Sequence, residues 1–317
     1  MKAIRYHQYS GPLTLDDVAD PVCGPGQVRI RVEATSVNPI DWKIHSGAMR
    51  WIRPIPRPVT PGMDVVGTVL ESQSSGLALG QRIVARIAGA GGGANAEQCI
   101  VGDDMAVLLP DGIEAADAAA LPLAGMTALQ GLRDDCHMAL KGETRRVLVV
   151  GASGGVGHYA VQLAHIAGAH VTAVCAGDRA ELVRDLGADQ IIDYRAQSDF
   201  RSGAPYDIVI DCAGKAPWSL FKDVMAPGAH MSQPTPTPVW FLHFATGMFS
   251  SKKPHFTMLT PNAADLQILV DHLAAGRLRS VVGARFAWTD LAEAWALNQR
   301  GGTEGKIVLT MDTPTTP

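Results

Sequence analysis

Seven residues in the middle of the chain, Gly151-Ala152-Ser153-Gly154-Gly155-Val156-Gly157, have the types and spacing to hold a dinucleotide. Glycines permit a tight turn there. They let the backbone at Ser153, Gly154, Gly155 and Val156 approach a pyrophosphate, and Gly157 lets the next helix pack on the strand before it. The phosphates would sit at the positive end of that helix. No Gly-Lys-Ser/Thr follows, which disfavours a nucleoside triphosphate. An NAD site usually ends its second strand in Asp or Glu, which accepts from the ribose 2′-hydroxyl. Here the strand ends in Cys175-Ala176-Gly177. Arg179 and Tyr194 follow, and a cation with a phenol suits a 2′-phosphate, hence NADPH. Asp178 either opposes that phosphate or caps the helix that begins at Arg179.

The elements that must position this loop are legible around it. Arg146 to Val150 is a continuous apolar strand of the kind buried on both faces. A helix with an apolar face is expected over 155–168, a second buried strand over His170 to Cys175, and a helix from Ala180 to Leu186 that Gly187 stops. Short strands follow at Gln190 to Asp193, Tyr206 to Asp211 and Ala229 to Ser232. This alternation means βαβ units and a parallel sheet. The first 120 residues read differently. Val28, Ile30 and Val32 alternate with Arg29, Arg31 and Glu33 as in a half-buried strand. Val65 to Leu70 and Ile83 to Ile87 also read as strands, and Gly89 to Gly93 as a flexible hairpin tip. Towards the end, Ala263 to Ala275 and Leu291 to Gln299 read as helices and Lys306 to Thr310 as a strand.

Composition supports two domains: 317 residues, 47% apolar, 18% charged. Ten prolines lie in 12–122, ten in 205–317, and none between, so 123–204 is a block fit for helices and central strands. The net charge of −4 gives no electrostatic case for nucleic acid or an acidic membrane surface. No apolar run reaches the length of a membrane span. Val239 to Phe249 is apolar but short, and reads as a pocket wall or subunit contact. The five cysteines, Cys23, Cys99, Cys136, Cys175 and Cys212, form no C-x-x-C pair. They read as reduced thiols of a cytoplasmic chain rather than a disulfide framework or a zinc ribbon.

Several segments taken together resemble the medium-chain dehydrogenase/reductase superfamily. They run nearly end to end: SVNPIDWKIHSG (36–47), PGMDVVGTV (61–69), LPLAGMTAL (121–129), VLVVGASGGVG (147–157), VTAVCAGDRAELVRDLGADQIIDY (171–194) and GKIVL (305–309). Within the superfamily they look most like the zinc-independent quinone oxidoreductases, and there the reticulon-4-interacting-protein-like and alkenal or enone reductases. The resemblance implies an α/β chain with a GroES-like, β-rich catalytic domain over 1–122 and 262–317. A Rossmann domain over 123–261, with a doubly wound parallel sheet, would be inserted between them. Zinc-dependent members place ligands where this chain has Asn38, Met63-Asp64 and Leu123, and these residues cannot assemble a tetrahedral N/S site.

Without a metal, the chemistry rests on the cofactor and on hydrogen bonds. Hydride from NADPH would reach a quinone or the β-carbon of an activated C=C. The resemblance makes Asn38 a contact at the nicotinamide or substrate, with Asp41 and Lys43 near the same cleft. It places Thr127 at the nicotinamide ribose or phosphate, and Lys306 at the cofactor. Many relatives carry a Tyr soon after the Ser-Gly pair as a proton donor. Here Ser46-Gly47 is followed by Ala48-Met49-Arg50-Trp51, which leaves the donor unassigned. Trp51 and the aromatics of 240–249 either line a cleft for a planar hydrophobic substrate or pack a core. Two other readings stay open: a tailoring reductase acting on an enoyl thioester, and a regulatory protein that binds NADPH without turnover. Family habit implies a homodimer.

Overall fold

The computed structural model describes residues 1–51, 54–89, 91–197, 199–234 and 250–311. They form two compact units: Met1–Leu123 with Pro261–Pro317, and Ala124–Thr260.

In the first unit, β1 (Lys2–Arg5) and β2 (Thr14–Asp17) make an antiparallel ribbon. A mixed sheet holds β3 (Gln27–Ser36), β4 (Asp64–Ser72), β5 (Arg82–Arg86), β6 (Gln98–Gly102) and β7 (Ala106–Leu108), and takes β14 (Val282–Ala287) and β15 (Lys306–Thr310) from the end of the chain. Its order is β14-β15-β3-β4-β5-β7, with β6 also paired to β3. The expected alternation on β3 is present: Val28, Ile30 and Val32 are buried while Arg31 faces water. It ends at Ala34, Thr35 and Ser36, which are all buried. There the strand is flanked on both sides, with Ser36 opposite Asp64 on β4 and opposite Val308 on β15. Of the segment expected as a hairpin tip, Ala90 lies outside the described residues and the far end is anchored. Gly93 and Ala94 donate their N–H groups to Gly62 O at 2.9 and 3.1 Å, and Asn95 N–H donates to Pro61 O at 3.0 Å. Helices α1 (Pro39–His45) and α2 (Ala115–Ala119) belong to this unit, as do the helices Ala263–Ala274 and Leu291–Arg300.

After α3 (Pro122–Gln130), the second unit is a six-stranded parallel sheet. Its strands are β8 (Arg146–Val150), β9 (His170–Cys175), β10 (Gln190–Asp193), β11 (Tyr206–Asp211), β12 (Met225–Gln233) and β13 (Lys253–Phe256), in the order β10-β9-β8-β11-β12-β13. The order reverses between β8 and β11, and open α/β sheets bind ligands at such a point, outside the strand C-termini. Helix α4 (Gly157–Ala167) follows β8, α5 (Ala180–Asp185) follows β9, and α6 (Trp218–Val224) follows β11. The proline-free block covers only part of this unit, because the later strands accommodate proline. Pro254 lies on β13, the last strand of the order, and Pro227 falls where the β11–β12 pairing is interrupted. The apolar stretch 239–249 lies outside the described residues.

Candidate active site

The glycine loop spans the gap from β8 to α4. Gly157 opens the helix so close to the loop that a Cβ there would stand 2.1 Å from Gly151 O and 2.8 Å from its carbonyl carbon. Only glycine fits this approach. Gly154 donates its N–H to Gly151 O at 3.0 Å. His158 returns to the loop, with both its backbone N–H (3.1 Å) and its Nδ1 (2.9 Å) on Gly154 O. Ser153, Gly154, Gly155 and Val156 are partly accessible. The strand, tight turn and helix N-terminus are therefore assembled as a pyrophosphate cradle requires, and the residues fit the group expected there.

At the end of β9, Ala176 is buried, and Arg179 N–H donates to Ala176 O at 2.9 Å in a single 3-10 turn. Arg179 Nε lies 3.9 Å from Asp178 Oδ1. A second guanidinium, not anticipated, reaches the same carboxylate: Arg195 Nη1 is 3.5 Å from Asp178 Oδ1 and packs over Tyr194 at 5.8 Å from the ring centroid. Tyr194 itself is exposed. Also missed was Asp193. A Cβ on Gly177 would meet its carboxylate at 2.4 Å, so an acid does flank the end of β9, supplied by β10. The parallel register that sets Asp193 beside Cys175 is the signal for it. Thr127 is buried within α3.

A second constellation lies inside the first unit. Pro39 opens α1, and Asp41 Oδ2 reaches back to accept Asn38 N–H at 2.9 Å, so the turn closes on its own carboxylate. The Asn38 side chain is used elsewhere. Its Nδ2 donates to Asp64 Oδ2 at 2.8 Å, and its Oδ1 accepts from Lys306 Nζ at 2.6 Å. Lys306 also donates to Val37 O at 3.0 Å and stands 3.7 Å from Asp64 Oδ2. Asp64 takes Ser36 Oγ–H at 2.8 Å and Leu123 N–H at 3.0 Å as well. Asn38, Asp41, Asp64 and Lys306 are each at most 4% exposed. Burial lowers the Lys306 ammonium below its usual range, while Asp64 and Asp41 oppose that. Burial likewise raises the Asp41 carboxyl to about 7, against the hydrogen bond from Asn38 that holds it down. Its Oδ1 is buried without a hydrogen-bond partner.

Asn38, Met63-Asp64 and Leu123 thus meet in space. Among the described residues two cations stand with them: the ammonium of Lys306, beside Asp64, and the guanidinium of Arg86, whose Nη2 donates to Met63 Sδ at 3.1 Å. Lys306, expected at the cofactor, has its ammonium directed into this interior. Lys43 stands apart from this cluster, since two residues along a helix are turned by about 200°. It is half-buried, with its Nζ 5.6 Å from the centre of the Trp42 ring. A hollow of about 1100 Å³ in the same unit, between Arg31, Glu97, Arg285 and Trp288, is lined by none of these residues.

Comparison with known proteins matches these features. A family profile described as an alcohol dehydrogenase GroES-like domain covers residues 24–111, and one described as a zinc-binding dehydrogenase covers 186–309. The chain is 37% identical to the chloroplast envelope quinone oxidoreductase homolog of Arabidopsis thaliana, over 98% of both sequences. The chain belongs to the medium-chain dehydrogenase/reductase superfamily, in its quinone and enone reductase branch. It is 31% identical to the 2-methylene-furan-3-one reductase of Solanum lycopersicum, over 98% of this chain and 79% of that one. The quinone oxidoreductase of Thermus thermophilus, whose structures include a complex with NADPH, superposes with a TM-score of 0.78 at 29% identity, covering 98% of this chain and all of that one. The first unit is accordingly the GroES-like, β-rich part of a medium-chain reductase, and the second its Rossmann-type sheet. The protein is an oxidoreductase of the quinone oxidoreductase type.

Proposed function

We propose that this medium-chain reductase is an NADPH-dependent, zinc-independent enzyme that transfers hydride to a quinone or to the C=C of an α,β-unsaturated carbonyl. The observation that carries this reading is the loop 151–157 at the point where the sheet order reverses, with the guanidiniums of Arg179 and Arg195 beyond β9. When bound, the reduced nicotinamide supplies the hydride. Ser153, Gly154, Gly155 and Val156 would cradle the pyrophosphate. Ala176, Arg179, Arg195 and Tyr194 would surround the adenosine ribose, and Thr127 would serve the nicotinamide end. Zinc independence is supported by the donor set around Asp64, an amide, a hydroxyl, a backbone N–H and an internal ammonium, none of which is a ligand of a zinc dehydrogenase. The reading carries with it a small hydrophobic carbonyl or quinone substrate, a cytoplasmic setting for the buried thiols, and a homodimer.

Purified protein mixed with NADPH and a panel of quinones and enones should consume the reductant, read as loss of nicotinamide absorbance. No consumption with any of them overturns the reading. Asp178 stands beside both guanidiniums and Asp193 flanks Gly177 at the end of β9, so the cofactor preference is tested by reversing charge. Arg179→Asp should weaken NADPH at least tenfold while leaving NADH nearly unchanged. Equal effects on both would refute the assignment of the 2′-phosphate.

A further inference from the structure

The second unit holds another buried carboxylate, Asp211, which the dinucleotide reading leaves unused. It ends β11 in register with Val150, the last residue of β8 before the glycine loop. It is fully buried. Its Oδ1 accepts two backbone N–H groups, from Ala213 at 3.1 Å and Gly214 at 2.9 Å, and so ties residues 211–214 into a turn. Cys212 N–H crosses to Val150 O at 3.0 Å, which stitches this turn to the strand that feeds the loop. The turn then presses on the loop itself. A Cβ on Gly151, whose φ is +74°, would stand 3.2 Å from both Ala213 N and Ala213 Cβ. Gly151 O is in turn the acceptor for Gly154 N–H and the atom against which Gly157 packs. A continuous line of contacts therefore runs from the Asp211 carboxylate through Ala213 and Gly151 to the residues that face a pyrophosphate.

We propose that Asp211 is a positioning residue for the dinucleotide loop, and that its ionised form is the one that holds the loop ready to bind. Protonation would weaken a doubly accepting oxygen and release the turn from beneath Gly151. Burial raises this carboxyl to about 6, with the two N–H bonds pulling the other way and no charged side chain contributing. The neighbouring Cys212 thiol, raised chiefly by its own burial and further by Asp211, stays neutral through this range. Asp211 Oδ2 has no hydrogen-bond partner, so the proton has a place to reside.

The proposal rests on the loop being a dinucleotide site, and the experiment separates the two. The probe is NAD+, whose own groups do not titrate between pH 5 and 7, and its affinity is followed across that range. If only the ionised loop binds, the apparent Kd rises about tenfold from pH 7 to pH 5. Asp211→Asn keeps an acceptor for both N–H groups but cannot titrate, so its affinity should stay flat. In the wild-type protein without ligand, the backbone amide resonances of Ala213 and Gly214 should move together with a midpoint near 6. That measurement needs no variant and decides the matter if Asp211→Asn does not fold. An unchanged affinity from pH 7 to 5, the same pH dependence in the Asn variant, or still amide resonances would each overturn the role of Asp211 and leave the dinucleotide reading intact. Absence of binding by both NAD+ and NADP+ at pH 7 would overturn both.

Discussion

Replacing Lys306 by Met removes an ammonium from an interior that also holds Asp64 and Asp41. Lys306 is 4% exposed and Asp64 is 0% exposed. Removing one partner of a buried ion pair costs about 3–5 kcal/mol, because the other charge is left uncompensated. Two features place this case near the lower end. The ammonium lies 3.7 Å from Asp64 rather than at hydrogen-bond distance, and Asp64 keeps three donors, Ser36 Oγ, Asn38 Nδ2 and Leu123 N. Val37 O and Asn38 Oδ1 each lose a donor, at roughly 1 kcal/mol apiece. Lys306→Met should therefore destabilise the GroES-like unit by about 3 kcal/mol. Urea unfolding followed by tryptophan fluorescence suits this unit, since four of the six tryptophans, Trp42, Trp51, Trp288 and Trp295, fall within its sequence. The double variant Lys306→Met with Asp64→Asn neutralises the orphaned charge. It should recover on the order of 2 kcal/mol of the summed single losses. A single-variant loss below about 1 kcal/mol, or strictly additive losses in the cycle, would refute the view that this cation neutralises the interior.

Asp41 offers a test by pH. Its folded carboxyl is raised to about 7, against about 3.9 in an unfolded chain. From pH 4 to 7 the folded state thus keeps a proton that the unfolded state releases. The stabilisation is complete below pH 4 and is lost as pH rises through 7, at up to about 1.4 kcal/mol per pH unit. Asp41→Asn should flatten that slope, which denaturation series at pH 5 and 7 will read. In the second unit, His230 Nδ1 and His255 Nε2 share a hydrogen bond of 2.9 Å, with His137 edge-on to His230. Burial is the first cause that lowers both rings below their usual range; His255, His137 and Arg145 add to it at His230, while at His255 Asp135 opposes it and His137 and Lys253 add to it. The folded state then binds fewer protons than the unfolded one, so stability present above about pH 6.5 is lost as pH falls. His255→Gln should make the drop in Tm between pH 7 and 5 smaller by a few degrees, read by calorimetry. Gly157→Ala would set a methyl 2.1 Å from Gly151 O, and the loop must open to admit it. Cofactor affinity should fall at least tenfold with little change in circular dichroism, because the displaced atoms belong to the loop; an unchanged affinity would show that the close approach is dispensable.

What could be read before the structure follows from the range over which each signal acts. The βαβ grammar is local. Apolar runs such as Val147 to Val150, and glycines that stop helices, carry it within a window of twenty residues, and these strands and helices stand where expected. The dinucleotide loop is equally local. The Asn38 cluster was legible only by resemblance, because Asp64 and Lys306 lie 26 and 268 residues away from Asn38, and no periodicity links them to it. Lys43, two residues after Asp41, shares its helix but not its face, so spacing along the chain does not by itself bring the two side chains together. Asp193 was overlooked because an acid was sought on β9 itself. The parallel pairing of β10 supplies one from the neighbouring strand.

Strand β15, which begins at Lys306, pairs with β3 near the start of the chain. This arrangement has a consequence for biosynthesis. A ribosome releases the whole Rossmann unit before the last strand of the GroES-like sheet exists. The inserted unit can close its six strands while Ala34, Thr35 and Ser36 are paired to β4 but still lack their second neighbour. At roughly 5–20 residues per second, the stretch from 123 to 306 takes on the order of 10–40 s. Throughout that interval Asp64 and Asn38 lack the ammonium of Lys306, and the end of β3 formed by Ala34, Thr35 and Ser36 is open on one edge. The GroES-like sheet is therefore completed only after the inserted unit has been made, when β15 arrives and brings Lys306 to Asn38 and Asp64.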